Sequence, residues 1–171
     1  MTMKKMISYL VTIFISVSAS VAQATLKIPM YLVDENGQQK SIGIVQADDT
    51  IYGLLLTPKL QDLPPGVHGF HIHQFPLCGQ NGMMAGGHLD PLRTDAHRGP
   101  YRGDGHLGDL PVLLVDARGR ATLPVLAPRL KLAQIENRTL MIHVGSDNYS
   151  DKPEKLGGGD GRMACGIVPY Y

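Results

Sequence analysis

The histidines of this chain are concentrated in one stretch. Residues 66–109 contain six of the seven histidines and one of the two cysteines, Cys78, while His143 and Cys165 lie near the far end of the chain. From position 75 to position 109 no period of 2 or 3.6 is visible, and so long an irregular segment is uncommon in a compact domain. Metal coordination would order such a segment. The sequence therefore predicts a metal site that draws distant parts of the chain together.

The first histidine pair lies in the segment FHIH at positions 70–73. Successive side chains of a β-strand point to opposite faces, so His71 and His73 share one face and Phe70 and Ile72 share the other. We expect the two imidazoles to form a bidentate clamp on a rigid strand. The later histidines, His88, His97 and His106, lie among glycines and prolines and have no such regular spacing.

The first residues have the layout of a secretory signal. Two lysines precede an apolar run over residues 7–17, and small residues follow as far as Ala24. We predict a signal peptide over residues 1–24, cleaved after Ala22 or Ala24, and a single metal-binding β-barrel domain over residues 25–171. An uncleaved anchor is the alternative. In an exported chain, a disulfide between Cys78 and Cys165 is favoured over two thiolate metal ligands.

The net charge argues against some classes of partner. Without the two leader lysines, the chain has 14 basic and 15 acidic residues. This near-neutral balance, with no basic run interleaved with aromatics, predicts no nucleic-acid partner. We also expect no stable membrane contact once the signal is removed.

The mature chain reads as a series of short strands. An Asn-Gly turn at 36–37 and a turn at 117–120 predict two hairpins, and residues 128–136 are irregular or form one helical turn. We predict an all-β antiparallel Greek-key β-barrel or sandwich of about eight strands. It has two long loops, the metal loop (residues 75–109) and the electrostatic loop (residues 146–161). The predicted strands are 26–34, 40–47, 50–56 (ending at Pro58), 67–74, 110–116, 121–126, 138–144 and 162–168.

Four short motifs carry a resemblance that spans essentially the whole mature chain. They are GFHIH at 69–73, GHLDP at 87–91, HLGDLP at 106–111 and GRMACG at 161–166, with His97 and His143 between them. Together, in this order, they resemble the copper/zinc superoxide dismutases, and the leader and HLGDLP point to the exported bacterial branch. The resemblance to that branch implies a periplasmic location.

The resemblance implies two metal sites that share one ring. Copper is expected on His71, His73, His88 and His143, and zinc on His88, His97, His106 and Asp109. The chemistry of the donors agrees independently. Four imidazoles suit a tetragonal copper site, and three nitrogens with one carboxylate suit a closed, structural zinc site.

Further residues take roles from the same resemblance. Asp147 is expected to be an outer carboxylate that holds His71 and His97 together, with an exposed loop aspartate as the alternative. Arg162 resembles the family's anion guide and, with His88, is the expected catalytic residue, and His68 is expected to be a buried, hydrogen-bonded histidine. Asp160 departs from the family, because exported relatives usually carry glycine there.

The resemblance implies the activity. Two superoxide anions are converted to oxygen and hydrogen peroxide by alternate reduction and oxidation of one copper per subunit, while one structural zinc shares His88. The competing interpretation is an exported metal-binding module without turnover, because ligands alone establish binding and not catalysis. A homodimer is possible, and the sequence identifies no interface.

Overall fold

The first strand shows how alternation in the sequence becomes a buried face. In the computed structural model, which describes residues 25–170, β1 spans Thr25–Asp34 and buries Leu26, Ile28 and Met30 while the residues between them remain exposed. This period-2 alternation places the side chain of every second residue in the core.

The signal peptide predicted over residues 1–24 lies outside the described residues. Among those described, no helix has the length and apolar character needed to cross a bilayer.

The remaining elements are also mainly strands. A single helical turn, α1, spans Leu132–Ile135, and short 3-10 helices span Met83–Ala85 in the metal loop and Lys155–Gly158 in the electrostatic loop. The other strands are β2 (Gly37–Thr50), β3 (Gly53–Leu60), β4 (Gly66–His68), β5 (Phe70–His73), β6 (Leu113–Val115), β7 (Val125–Ala127), β8 (Thr139–His143) and β9 (Arg162–Ile167).

The strands form two sheets that enclose one core. The larger has the order β5-β8-β9-β1-β2-β3-β7, and the smaller pairs β4 with β6. All the pairs are antiparallel, and both sheets contribute side chains to the main apolar cluster. These pairings confirm the prediction of an antiparallel all-β fold. The larger sheet curls into a half-barrel. The first predicted hairpin is also confirmed, since Asp34 pairs with Gly37.

The second predicted hairpin is wrong. A tight turn does form, with Gly119 donating to the Asp116 carbonyl, but β6 pairs with β4 whereas β7 pairs with β3. Ala121 exchanges backbone hydrogen bonds with Leu60, so the chain leaves the small sheet directly after the turn. A tight turn specifies a reversal of direction, and it does not specify that the two flanking segments pair.

The third strand extends beyond its predicted end. The prediction ended at Pro58, but β3 continues to Leu60 and pairs Pro58 with Val45. Proline is tolerated here because pairing with β7 stops at Leu56, and no ladder hydrogen bond is lost on that edge. The predicted strand over 67–74 is instead divided at Gly69, where the chain passes from the small sheet to the large one.

A disulfide fastens the metal loop to the last strand. Cys78 and Cys165 are bonded, as predicted from export, and are 87 residues apart in sequence. Closing a loop of this size stabilises the folded state by about 4–5 kcal/mol in the chain-entropy model. The bond also holds the start of the metal loop against β9.

One glycine in the β1–β2 pairing permits a bulge. Gly43 pairs with Met30, next to a shift in register, and its φ of 124° lies in the region that favours glycine. A Cβ at Gly43 would lie 2.1 Å from the Lys59 carbonyl oxygen. We expect Gly43→Ala to lower the free energy of unfolding by more than about 1 kcal/mol, since both the backbone conformation and the available space oppose it.

Urea unfolding would measure this change. Gly103→Ala is the matched control, because no atom lies within 4 Å of a Cβ at Gly103 and the substitution should be nearly neutral. Equal stability of the two variants would contradict the assignment of strain to Gly43.

Candidate metal centre

Two adjacent strands supply the rigid part of the site. His71 and His73 lie on one face of β5, and β8 runs antiparallel beside it with His71 opposite Met141. His143, two residues after Met141, therefore lies on the same face as the β5 pair. Its backbone N–H donates to the Gly69 carbonyl at 2.8 Å. The sheet itself thus brings three imidazoles together.

The metal loop adds its donors by pairing with the free edge of β5. The Ile72 N–H donates to the Gly108 carbonyl at 2.9 Å, and the Ile72 carbonyl accepts from Leu89 N–H at 2.8 Å. These contacts create backbone bridges of His71 with Asp109 and of His73 with His88. Two distant parts of the loop are therefore placed beside the strand by ordinary β-type hydrogen bonds.

Four buried histidines form the first donor group. One ring nitrogen from each lies within 4.8 Å of those of the others, and the Nε2 atoms of His73 and His143 are 3.4 Å apart. His73 Nδ1 donates to the Gly86 carbonyl at 2.9 Å, which leaves Nε2 facing the group. This four-histidine group consists of His71, His73, His88 and His143.

A second donor group surrounds a buried carboxylate. The Nδ1 atoms of His88, His97 and His106 lie 2.9, 3.0 and 3.4 Å from the Asp109 carboxylate. Backbone N–H groups of Arg98 and Gly99 also donate to it, both at 3.2 Å. We call His88, His97, His106 and Asp109 the Asp109 group. Donor atoms of His71, His88, His97 and Asp109 all lie within 4.8 Å of one another, and His106 is not part of that set.

Asp147 bridges the two groups. One carboxylate oxygen lies 2.8 Å from His71 Nε2 and the other 2.7 Å from His97 Nε2. The side chain is buried, so the alternative of an exposed loop aspartate is wrong. Because these contacts occupy Nε2 of each ring, they fix the ring orientations and aim the opposite Nδ1 atoms into the two groups.

The donor atoms that remain have the character of metal ligands. Four buried ring nitrogens in the described part of the chain lack a hydrogen-bond partner of good geometry: His71 Nδ1, His88 Nε2, His97 Nδ1 and His106 Nδ1. Buried polar atoms without partners cost free energy, and in native proteins they are rare. A copper and a zinc ion would satisfy all four, so the residues present fit both metals.

Burial and mutual repulsion determine the protonation of the four-histidine group. Burial lowers the pKa of His71, His73 and His143, and the neighbouring His88 lowers it further, to about 4 for His143. Burial also lowers the pKa of His88, although its hydrogen bond to Asp109 opposes that effect. Neutral imidazole is the form that binds metals, so the group is prepared for ligation at neutral pH.

The carboxylates have the opposite effect on their neighbours. Burial alone would lower the pKa of His97, but its hydrogen bonds to Asp109 and Asp147 outweigh this and raise the pKa to about 9. Burial likewise favours neutral Asp109 and Asp147, yet hydrogen bonds from the histidines hold the pKa of both well below the ordinary value. Both carboxylates are therefore charged at neutral pH.

An open cleft of about 320 Å³ leads to the four-histidine group. His88 and His143 lie in its wall together with Arg162 and the exposed Asp160. Arg162 donates to the carbonyls of Gly82 at 2.6 Å and Gly86 at 2.7 Å, which hold the guanidinium in place. Asp160 has φ 53°, a left-handed conformation that glycine adopts without strain.

His68 does not join either group. Its Nδ1 lies 3.0 Å from the carbonyl oxygens of His143 and Val144, and its Nε2 lies 2.9 Å from that of Pro64. This confirms the prediction of a buried, hydrogen-bonded histidine.

Sequence reasoning missed the backbone carbonyls that support the site. Gly86 O accepts from both His73 and Arg162, and Gly82 O accepts from Arg162. The side chain of Asp151 accepts from the His97 N–H at 2.8 Å. A carbonyl oxygen occurs in every residue, so no sequence signal distinguishes these, and Asp151 has no motif of its own.

These observations define a class of protein. A curled antiparallel half-barrel carries two overlapping groups of buried imidazole and carboxylate donors, joined by shared histidines, at the base of an open cleft. This is an all-β protein with a candidate dinuclear metal centre.

Comparison with known proteins identifies the family. Residues 41–168 match the family model described as copper/zinc superoxide dismutase (SODC). A superoxide dismutase [Cu-Zn] from Legionella pneumophila is 55% identical over 128 residues, covering 75% of this chain and 78% of the relative. The structure of Cu/Zn superoxide dismutase from Brucella abortus is 45% identical with a TM-score of 0.80, covering 85% of this chain and 99% of that one.

A second solved structure agrees. The solution structure of the monomeric copper, zinc superoxide dismutase from Salmonella enterica is 52% identical with a TM-score of 0.75, and the match covers 85% of this chain and 99% of that one. The chain therefore belongs to the copper/zinc superoxide dismutase family. It is an enzyme that acts on superoxide, and copper and zinc are its cofactors.

The lowered pKa values predict acid sensitivity of the metal-free protein. In the unfolded chain the imidazoles bind protons near pH 6.5, whereas folded His143 does so only near pH 4. Because the folded pKa is depressed, this contribution to stability is fully present above about pH 6.5 and is lost as the pH falls toward about 4. His97 offsets a small part of the loss, because its raised pKa of about 9 gives a stabilising contribution that becomes fully present only below about pH 6.5.

Urea unfolding in the presence of a chelator, at about pH 7 and about pH 4.5, would measure the effect. His143→Gln removes one of the responsible groups and should give a smaller loss between the two conditions. A metal-free stability that does not change over this range would contradict the assignment.

Proposed function

We propose that this enzyme converts two superoxide anions to oxygen and hydrogen peroxide at a copper held by four histidines, beside a structural zinc that shares His88. The observation that carries the proposal is that two members of the four-histidine group, His88 and His143, line a cleft that also contains Arg162. A site for storage needs no anion-attracting group at its mouth. A site for turnover of an anion does.

The hydrogen bonds around each ring support a specific set of copper donors. His71 uses Nε2 for Asp147, His73 uses Nδ1 for Gly86, and His88 turns Nδ1 toward Asp109. The opposite nitrogen of each ring is then the one available to copper. The fourth donor would be His143 Nε2, which lies 3.4 Å from His73 Nε2.

The Asp109 group supports the zinc assignment. Three Nδ1 atoms, from His88, His97 and His106, converge on one carboxylate and would complete a closed tetrahedral site with it. His88 belongs to both assignments, because its Nδ1 faces Asp109 and its Nε2 faces the four-histidine group. Using both requires a ring without protons, which two neighbouring cations would stabilise.

Bound copper would supply one-electron oxidation and reduction, and bound zinc would supply a fixed positive charge. The chain's own residues then attract the substrate and manage protons. Arg162 offers a guanidinium to the small anion at the cleft, held by two carbonyls. While His88 Nε2 is not bound to copper, it is the atom at which we place one of the two protons taken up by the reduced product, the other coming from solvent, and Nδ1 remains directed at Asp109.

We further propose that the enzyme works in the periplasm after removal of the leader at Ala22 or Ala24. The Cys78–Cys165 disulfide supports an oxidising compartment, and the relatives described above are bacterial proteins. The Salmonella enterica relative is described as monomeric, and sedimentation of the purified chain would decide between monomer and homodimer here.

Metal counting with activity tests the proposal. Wild-type protein should hold one copper and one zinc per chain and should remove superoxide. His143→Ala should lose most of its copper affinity but keep zinc, because His143 belongs only to the four-histidine group. If the loaded wild type removes superoxide no faster than free copper does, the chain is a metal-binding module and the proposal fails.

The charges at the cleft predict a salt-dependent rate. Arg162→Ala should lower kcat/KM by roughly tenfold or more, whereas Asp160→Asn should raise it by up to about twofold, because the substrate is an anion. Asparagine also tolerates the left-handed conformation of Asp160. Both effects should shrink as ionic strength rises, since salt screens the attraction.

The matched control is Asp62→Asn. Asp62 is an exposed, left-handed aspartate that forms an ion pair with Lys40 and is absent from the wall of the cleft. Its substitution should leave kcat/KM unchanged in pulse-radiolysis measurements. An Arg162→Ala rate equal to that of wild type at low salt would remove the basis for anion guidance by Arg162.

A further inference from the structure

Three arginines outside the metal loop hold its backbone. Arg138 donates to the Gln74 carbonyl at 2.6 Å, at the point where the chain enters the loop, and Arg162 binds two carbonyls in the middle. Arg129 binds the final part. An irregular loop cannot pair its own carbonyls in a ladder, so a fork of guanidinium donors is an effective substitute.

Arg129 contacts three carbonyl oxygens at once. Its Nη2 donates to Gly105 O at 2.9 Å, and its Nη1 lies 3.1 Å from His106 O and 3.5 Å from Gly99 O. One planar group therefore joins two segments of the metal loop that are separated by five residues. Lysine has a single ammonium and cannot reproduce this fork.

Both segments make hydrogen bonds that support the Asp109 group. The N–H of Gly99 donates to the Asp109 carboxylate, and the N–H of His106 donates to the Ala96 carbonyl next to His97. Moving Gly99 or His106 away from Arg129 would therefore disturb both a ring of the group and the hydrogen bonds of its carboxylate.

Arg129 is itself well anchored. It lies two residues beyond the end of β7, and the following Leu130 is buried and donates to the Ala127 carbonyl at 3.2 Å. Pro128 packs close to Gly53. The guanidinium consequently extends from the rigid sheet to a loop that has little regular structure.

We propose that Arg129 is a positioning residue for zinc, which sets the geometry of the Asp109 group through the loop backbone without contacting the metal. This rests on the proposed zinc assignment. The four-histidine group depends on Arg129 far less, because three of its rings are held by β5 and β8.

The test compares Arg129→Met with Arg129→Lys and with Arg120→Met. Arg120 is the matched control, because it is a solvent-facing arginine whose ion pair with Asp116 is remote from the site. Zinc affinity is measured on metal-free protein by competition with a chromophoric chelator. We expect Arg129→Met to bind zinc 10- to 100-fold more weakly, Arg129→Lys to fall between it and wild type, and Arg120→Met to match wild type.

Two further readouts separate positioning from general stability. Cobalt(II) bound in place of zinc should show an altered visible spectrum in Arg129→Met, because its absorption reports coordination geometry. In metal-free protein, hydrogen exchange of the Gly99 and His106 amides should quicken while that of β1 and β2 stays unchanged. A lowered unfolding midpoint with wild-type zinc affinity, cobalt spectrum and loop exchange would overturn the proposal.

The ligand assignment is tested separately by His106→Ala. Weak zinc binding in His106→Ala together with wild-type binding in Arg129→Met would refute the role of Arg129 and leave the ligand assignment intact. Wild-type zinc binding in His106→Ala would refute the ligand assignment and the role of Arg129 with it.

Discussion

The burial of six imidazoles and two carboxylates beneath irregular chain is the constraint on which this structure depends. Polar groups removed from water cost free energy unless they are paired. Asp147 and Asp109 meet part of this demand, because Asp147 accepts hydrogen bonds from His71 and His97 and Asp109 accepts one from His88. Four buried ring nitrogens of the site remain without a hydrogen-bond partner. The fold thus becomes fully satisfied only as a metalloprotein.

Much of the site was predictable because its parts obey strong local rules. The spacing of His71 and His73 requires one strand face, and two cysteines in an exported chain favour the bond that Cys78 and Cys165 form. The resemblance to a family supplied the expected pairing of Asp147 with His71 and His97, and the structure brings those three side chains together. Short β-forming runs separated by turn signals indicated the antiparallel sheet.

The rest depends on tertiary contacts that leave no local pattern. Whether proline ends a strand depends on what lies along the edge, and the continuation of β3 through Pro58 follows from the shortness of β7. A turn at Gly119 says nothing about which sheet receives the next segment. The contacts of Arg129 with three carbonyls are equally invisible, because every residue carries the acceptor.

The backbone bridges along β5 have a consequence beyond ligand placement. This strand is one end of the seven-stranded sheet, and residues of the metal loop occupy the hydrogen-bonding groups that it would otherwise present outward. A bare strand edge is a template on which other chains add in cross-β fashion. The same residues that bring donors to the candidate metal centre therefore cover the edge on which other chains could add, so that metal binding and resistance to aggregation depend on one segment.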